Sequence, residues 1–299
     1  MRRMEKKVSA THRNPQGHRV GDGFPVRSLF SYDRLGRQLS PFLLLDYAGP
    51  RRFDPAAHPR GVGEHPHRGF ETVTIVYRGE VAHRDSAGNG GVIGPGDVQW
   101  MTAASGILHE EFHSPEFTRR GGDLEMVQLW VNLPARHKMS APSYQAIQRA
   151  DIAEVALADG AGRLRVIAGD CAGTRGAAHT FTALNVWDGT LQAGRTTTLE
   201  VPDGHNAAVI VLHGAMSVNQ AALGPADLAV LDPAGVQLRL VAAEDTAFLL
   251  LSGAPIAEPI AGYGPFVMNT PREIETAVAD FQAGRFGRMT RNEQPVGVQ

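Results

Sequence analysis

Two stretches of this 299-residue chain repeat each other in order, and the repeat limits the fold more than any other feature. TIVYRGEV at 74–81 aligns with VIVLHGAM at 209–216, an offset of 135 (209 − 74), and sets Gly79 on Gly214. GPGDVQWM at 94–101 then aligns with GPADLAVL at 224–231, an offset of 130 (224 − 94). Solenoid units have periods of about 20–50 residues, so this repeat is too long to be one. It suits two copies of one β domain, each with many strands and frequent turns, which points to a barrel or jelly roll. LPARHKMSAPSYQAI, at 133–147, is rich in loop formers and predicts a division into domains 1–140 and 141–299.

The rest of the chain agrees with an all-β reading. TVTIVYRGEVAHRD (72–85) alternates Val73, Ile75 and Tyr77 with Thr72, Thr74 and Val76, and Arg78-Gly79-Glu80 predicts a hairpin turn. SAGNGG (86–91) predicts a second turn, and GVIGPGDVQWM (91–101) one return strand. EMVQLWVNL (125–133), RLRVIAGD (163–170) and FTALNVWDG (181–189) are further strand candidates. A helical period emerges only in NTPREIETAVADFQAGRFG (269–287), with Thr270 as cap, Pro271 in the first turn and Glu273 closing a capping box. Ile274, Val278 and Phe281 share one stripe of that helix.

Composition narrows the function classes. The formal charge is −2 with no long run of one sign, which gives no surface for nucleic acid. No apolar run reaches the roughly 18 residues of a membrane span. The basic N-terminal stretch lacks an apolar segment of the secretory kind, so a cytoplasmic protein is expected. There is one cysteine, Cys171, and twelve histidines, so a metal site here must use nitrogen and oxygen ligands.

HPHRGFE, at 65–71, supplies half of such a site. Residues two apart in an extended segment point the same way, so His65 and His67 face together, stiffened by Pro66. GILHEEFHSP (106–115) is the candidate second half, its His109 lying 42 positions beyond His67 (109 − 67). Alternation there puts His109, Glu111 and His113 on one side and Glu110 on the other. A chain folding back through the turns at 79 and 86–91 would place these segments on neighbouring strands. Three imidazoles and one carboxylate leave two positions of an octahedron open, as a ligand-exchanging metal requires. Imidazole suits iron, nickel, copper or zinc, and carboxylate favours harder ions. Glu71 has the parity of His65 and His67, and is either the carboxylate ligand or a group supporting the ligands. The repeat acts as a control: its offsets carry His65 and His67 to Glu200 and Pro202, and His109 and Glu111 to Arg239 and Val241. No histidine pair stands there, so the fold itself does not require one.

The block from HPHRGFE through GILHEE resembles the signature region of pirins, a branch of the cupin superfamily. PFLLLDYAGPRRF (41–53) and GYGPFVMNTPREI (262–274) resemble pirin blocks in the same order. The resemblance runs from about residue 18 to 287 and implies two cupin domains with metal in the N-terminal one only. Carried onto matching positions, it implies His65, His67, His109 and Glu111 as ligands, with Glu71 in a supporting role. The general cupin pattern would instead use Glu71 and a histidine near Trp100. Iron, as Fe(II), is the metal the family implies, with manganese, nickel, copper or zinc as alternatives. The activity it implies is that of a quercetin 2,3-dioxygenase. A flavonol or related enolic aromatic binds the open metal site, Glu111 takes the proton of its hydroxyl, and O2 opens the ring with loss of carbon monoxide. Phe70 and Met101, close to the ligands in sequence, are candidates for the substrate pocket. The alternative is a non-catalytic, iron-binding transcription cofactor acting through a protein partner.

The remaining histidines read as structural. His83 is expected on the solvated side of its strand, and His113 is cut off by Pro115. His179, His205 and His213 have no partner at ligand spacing. Cys171 reads as an incidental thiol, and the basic clusters MRRMEKK and RRFDP as solvated.

Overall fold

The computed structural model describes residues 4–289, so the first three residues of the MRRMEKK cluster lie outside the described residues. Two seven-stranded antiparallel sheets dominate, each accompanied by a four-stranded sheet. The first large sheet runs in the order Ser143–Ile147, Val98–Thr102, Phe70–Arg78, Gly122–Asn132, Phe42–Phe53, Phe24–Ser31, His18–Val20. Its companion runs Gly61–His67, Ile107–His113, Val81–Asp85, Gly90–Ile93. The second half repeats this plan, with Asn206–His213 and Asp227–Leu231 where the first has Phe70–Arg78 and Val98–Thr102.

The large sheets pack back to back. Val73, Ile75, Val127, Leu129 and Val131 from the first meet Val186, Ala208, Ile210, Leu249 and Leu251 from the second in one buried cluster. Alternate residues on the same strands face inward, toward the four-stranded sheets. The halves also exchange strands. Val8–Arg13 pairs with Asp227–Leu231 of the second half, and Ser143–Ile147 pairs with Val98–Thr102 of the first.

Three local expectations need correction. Arg78-Gly79-Glu80 is not a hairpin turn: Phe70–Arg78 stays in the large sheet while Val81–Asp85 joins the small one, so the chain turns a corner between sheets. Gly79 (φ +82°) and its repeat partner Gly214 (φ +75°) both sit at such corners. A Cβ on Gly214 would lie 2.2 Å from the Asp245 carbonyl oxygen, so both conformation and space call for glycine. Residues 91–101 are not one strand, because Asp97 N–H bonds to the Gly94 carbonyl (2.9 Å) and the chain crosses back between sheets there. Lys6 is fully buried, its ammonium donating to the carbonyls of His205 (3.0 Å) and Asp232 (3.2 Å).

The helix is Pro271–Gln282, with the Thr270–Glu273 capping box in place. Although it follows the second half in sequence, it packs on the first. Ile274, Val278 and Ala277 meet Leu108 and Phe286, and buried Arg68 pairs with Asp280 (2.8 Å) while lying 4.6 Å from the Phe286 ring. Phe281 is 40 % exposed, at the edge of that contact. Among the described residues no helix is long and apolar enough to cross a membrane.

Candidate metal centre

The strand Ile107–His113 is the axis of the site. On one side it pairs with Gly61–His67, setting His109 opposite His65 and Ile107 opposite His67. On the other it pairs with Val81–Asp85, setting Glu111 opposite His83 and His109 opposite Asp85. Alternation then turns His65, His67, His83, Asp85, His109 and Glu111 toward the same interior. The two half-sites inferred from sequence are therefore adjacent strands.

The three imidazoles converge. Ring centroids of His109 lie 4.2 Å from His65 and 4.8 Å from His67, and those of His65 and His67 are 4.9 Å apart. One donor nitrogen from each falls within 4.8 Å of the others. In each ring Nδ1 is engaged: with the Gly63 carbonyl for His65 (2.8 Å), the Pro265 carbonyl for His67 (3.4 Å), and His83 Nδ1 for His109 (3.4 Å). Those contacts leave Nε2 of each ring toward the centre. His109 Nε2 is buried with no hydrogen-bond partner among the described residues, which is costly unless something binds it. Burial, followed by the neighbouring imidazoles, holds His67 and His109 well below the ordinary histidine range. Both are thus neutral, the form that can bind a metal.

Glu111 lies on the other side of His109 and forms a second donor group with His109 and His83. Its Oε1 accepts from Thr74 Oγ1 (3.2 Å) and Gln99 Nε2 (3.3 Å), which fixes the carboxylate. Glu71 stands apart from both donor groups. It is buried, its Oε1 accepts from Thr102 Oγ1 (2.8 Å), and burial pushes its pKa up to about 7.

His83 corrects an expectation, since it is 1 % exposed rather than solvated. It stacks on Tyr144 (5.1 Å, 9° between planes), and its Nε2 lies 3.5 Å from Asp85. Asp85 is itself held by the backbone N–H groups of Ala87 and Asn89. The signal was present in VAHRD, because buried Val81 sets the phase that turns His83 and Asp85 inward. His113 is structural: its Nε2 meets the Gly23 carbonyl (3.0 Å) and its ring packs edge-on to Phe53 and Phe24. His213, in the second half, contacts Glu125 of the first. Cys171 is buried, and burial pushes its thiol pKa up.

A cavity of about 420 Å³ opens beside the centre. His65, His67 and Glu111 form one wall, while Phe24, Val26, Val62, Met126 and Trp130 supply apolar surface, and Asp46 and Gln128 polar groups. Phe70 and Met101 do not line it. Phe70 is fully buried behind the site, 5.1 Å from the His67 ring, and Met101 packs with Ala103, Ile107 and Tyr144 at the opposite end of the interior. Closeness in sequence to the ligands did not give the side on which the cavity opens. Trp130 and Gln128 come from Gly122–Asn132, whose inward phase is the alternate of Val127, Leu129 and Val131.

The pirin family profile matches residues 23–131, and the profile of the pirin C-terminal cupin domain matches residues 186–287. The chain is 59 % identical to a Pseudomonas aeruginosa protein named "Putative quercetin 2,3-dioxygenase", over 95 % of this chain and 99 % of that protein. It is 37 % identical to a pirin-like protein of Solanum lycopersicum, over 94 % of this chain and 92 % of that one. A crystal structure titled quercetin 2,3-dioxygenase, from Acinetobacter baumannii, superimposes with a TM-score of 0.94 at 58 % identity, covering 96 % of this chain and 100 % of that one. With both profiles matched and the two-cupin fold in place, the chain belongs to the pirin family.

Proposed function

We propose that the chain is a metal-dependent dioxygenase that opens flavonols or related small enolic aromatics with O2. In this reading His65, His67, His109 and Glu111 are the metal ligands and Fe(II) is the metal, with manganese, nickel, copper or zinc as substitutes. The observation that carries it is the buried, unpartnered Nε2 of His109, facing two further imidazoles whose Nδ1 atoms are already engaged. The residues fit a ligand-exchanging metal: three imidazoles and one carboxylate beside a cavity of about 420 Å³. When bound, the metal supplies a Lewis acid for the substrate's enolic hydroxyl and the redox partner that O2 chemistry needs.

The protein's own groups do the rest. Glu111, its carboxylate held in place by Thr74 and Gln99, is the group that takes the proton of the substrate hydroxyl. The carbonyls of Gly63 and Pro265 orient His65 and His67, as partners on the outer nitrogen of a ligating histidine do. Phe24, Val26, Val62, Met126 and Trp130 exclude water and offer flat apolar surface to an aromatic ring. Glu71, through Thr102, ties the strands Phe70–Arg78 and Val98–Thr102 of the large sheet together behind the site. We further read residues 1–140 as the metal-carrying unit and 141–299 as a unit without ligands, in a cytoplasmic protein.

The test is metal analysis of the purified protein, followed by quercetin turnover under O2 with Fe(II) restored. Turnover that is lost in His65→Ala and Glu111→Gln supports the reading. Stoichiometric metal without turnover across a flavonol panel overturns it in favour of a metal-binding regulatory protein.

A further inference from the structure

One line of polar residues crosses the inner face of the first large sheet, and the second half has no such line. Register pairs Ser28 with Asp46, Asp46 with Gln128, Gln128 with Thr74, and Thr74 with Gln99, so five adjacent strands each present one polar side chain in a single row. Its members are hydrogen-bonded. Ser28 Oγ donates to Asp46 Oδ1 (2.5 Å), and Thr74 Oγ1 lies within bonding distance of both Gln128 Oε1 (2.9 Å) and Glu111 Oε1 (3.2 Å). Gln99 Nε2 reaches the same Glu111 oxygen. Following the repeat strand by strand, the second half has Val166, Trp187, Leu250, Val209 and Ala229, also in one register row. All five belong to that half's apolar core.

The Asp46–Trp187 difference is the informative one. Trp187 fills the interior of the second half and is 1 % exposed. At the matching place the first half has a short carboxylate, and the space becomes part of the cavity that also borders His65, His67 and Glu111. Asp46 is 8 % exposed, and its Oδ2 makes no hydrogen bond among the described residues. Oδ2 is not buried away from solvent but opens on the cavity, where a donor on a bound molecule can take the place of water.

We propose that Asp46 is a specificity-determining residue: it accepts a hydrogen bond from a hydroxyl of the substrate remote from the edge held at the metal centre. The substrate class is then a polyhydroxylated planar aromatic rather than an unsubstituted enolic one. Burial raises the carboxyl's pKa, while the Ser28 hydrogen bond and the charge of nearby His18 oppose the rise. This inference rests on the dioxygenase reading above.

The experiment is anaerobic titration of the Fe(II)-loaded protein with two ligands sharing the chelating edge, quercetin and 3-hydroxyflavone, which lacks the remote hydroxyls. The wild type should prefer quercetin. Asp46→Leu should lower quercetin affinity by about 10- to 100-fold, the range of a hydrogen bond to a charged group, and leave 3-hydroxyflavone within about twofold. Asp46→Asn, which keeps the shape and the Ser28 contact, should show a smaller loss in the same direction, and it carries the test if the leucine variant does not fold. An unchanged ratio of the two affinities in the folded variants overturns the inference and leaves the dioxygenase reading standing. If the metal-loaded wild type binds neither compound, both fall.

Discussion

The two halves share one plan and use its interior in opposite ways. In the second, Leu199, Met216, Val218, Leu238 and Leu240 from the four-stranded sheet close against Trp187, Val209 and Leu250. In the first, the matching strands carry His65, His67, His83, His109 and Glu111. Apolar packing persists there at the ends, with Val76, Val81, Ile93, Phe117, Leu124 and Met126 clustered at one and Met101, Ala103 and Ile107 at the other. A polar interior is destabilising unless its groups are paired. The first half can tolerate it because its outer face is buried against the second half, whose own interior is filled by the apolar cluster around Trp187. One copy thus acts as scaffold and the other as site.

Four experiments can break or sharpen that contrast. Trp187→Ala should cost about 3–5 kcal/mol in urea unfolding, as a large cavity in an apolar core does, whereas Asp46→Ala should cost under about 1 kcal/mol. Equal losses would show that the halves are packed alike. Leu250→Gln should cost about 2–3 kcal/mol by the same measurement, because no partner awaits the amide; the converse change, Gln128→Leu, should be close to neutral. His83→Leu removes the group beside His109 Nδ1 and should weaken metal binding by about 10- to 100-fold in chelator competition, without unfolding the chain. Unaltered affinity would show that His83 merely fills space.

The smallest effect concerns pH. The folded-state pKa of Glu71 is raised to about 7 from an ordinary 4.5, so the folded protein holds that proton more tightly than the unfolded chain. Stability from this group is fully present below pH 4.5 and is lost as pH rises toward 7, by about 1–3 kcal/mol. Glu71→Gln should flatten that part of the profile and make the protein more stable than wild type at pH 8, as followed by thermal unfolding at a series of pH values. A slope that survives the substitution assigns it to another group.

Much of this was readable from residues alone. Alternation in HPH and LHEE gave His65, His67, His109 and Glu111 as inward-facing, though not His83 and Asp85, and the Thr270–Glu273 pattern gave the helix start. What the sequence hid depends on register between distant strands. The row of Asp46 and Gln128 arises from pairing of segments 82 residues apart (128 − 46), which no local pattern encodes. Register also qualifies the repeat. An offset of 130 carries His109 to Arg239, which faces outward, whereas the inward positions of that strand are Leu238 and Leu240. A slip of one residue exchanges the faces of a strand, so the counterpart of the metal strand is apolar rather than charged. The buried ammonium of Lys6 was equally invisible, since its acceptors are carbonyls more than 190 positions away.

The carbonyl of Pro265 gives the centre a calendar. The strands bearing His65, His67 and His109 are complete once residue 113 has been made, but the group that orients His67 is translated 152 residues later (265 − 113). At about 5–20 residues per second that is a wait of roughly 8–30 s on the ribosome. Through that interval the imidazoles exist without their final wall and without the Arg68–Asp280 clasp. A nascent chain stalled before residue 261 should therefore release metal to a chelator faster than the finished protein, so that the last stretch made acts as the latch on the first site formed.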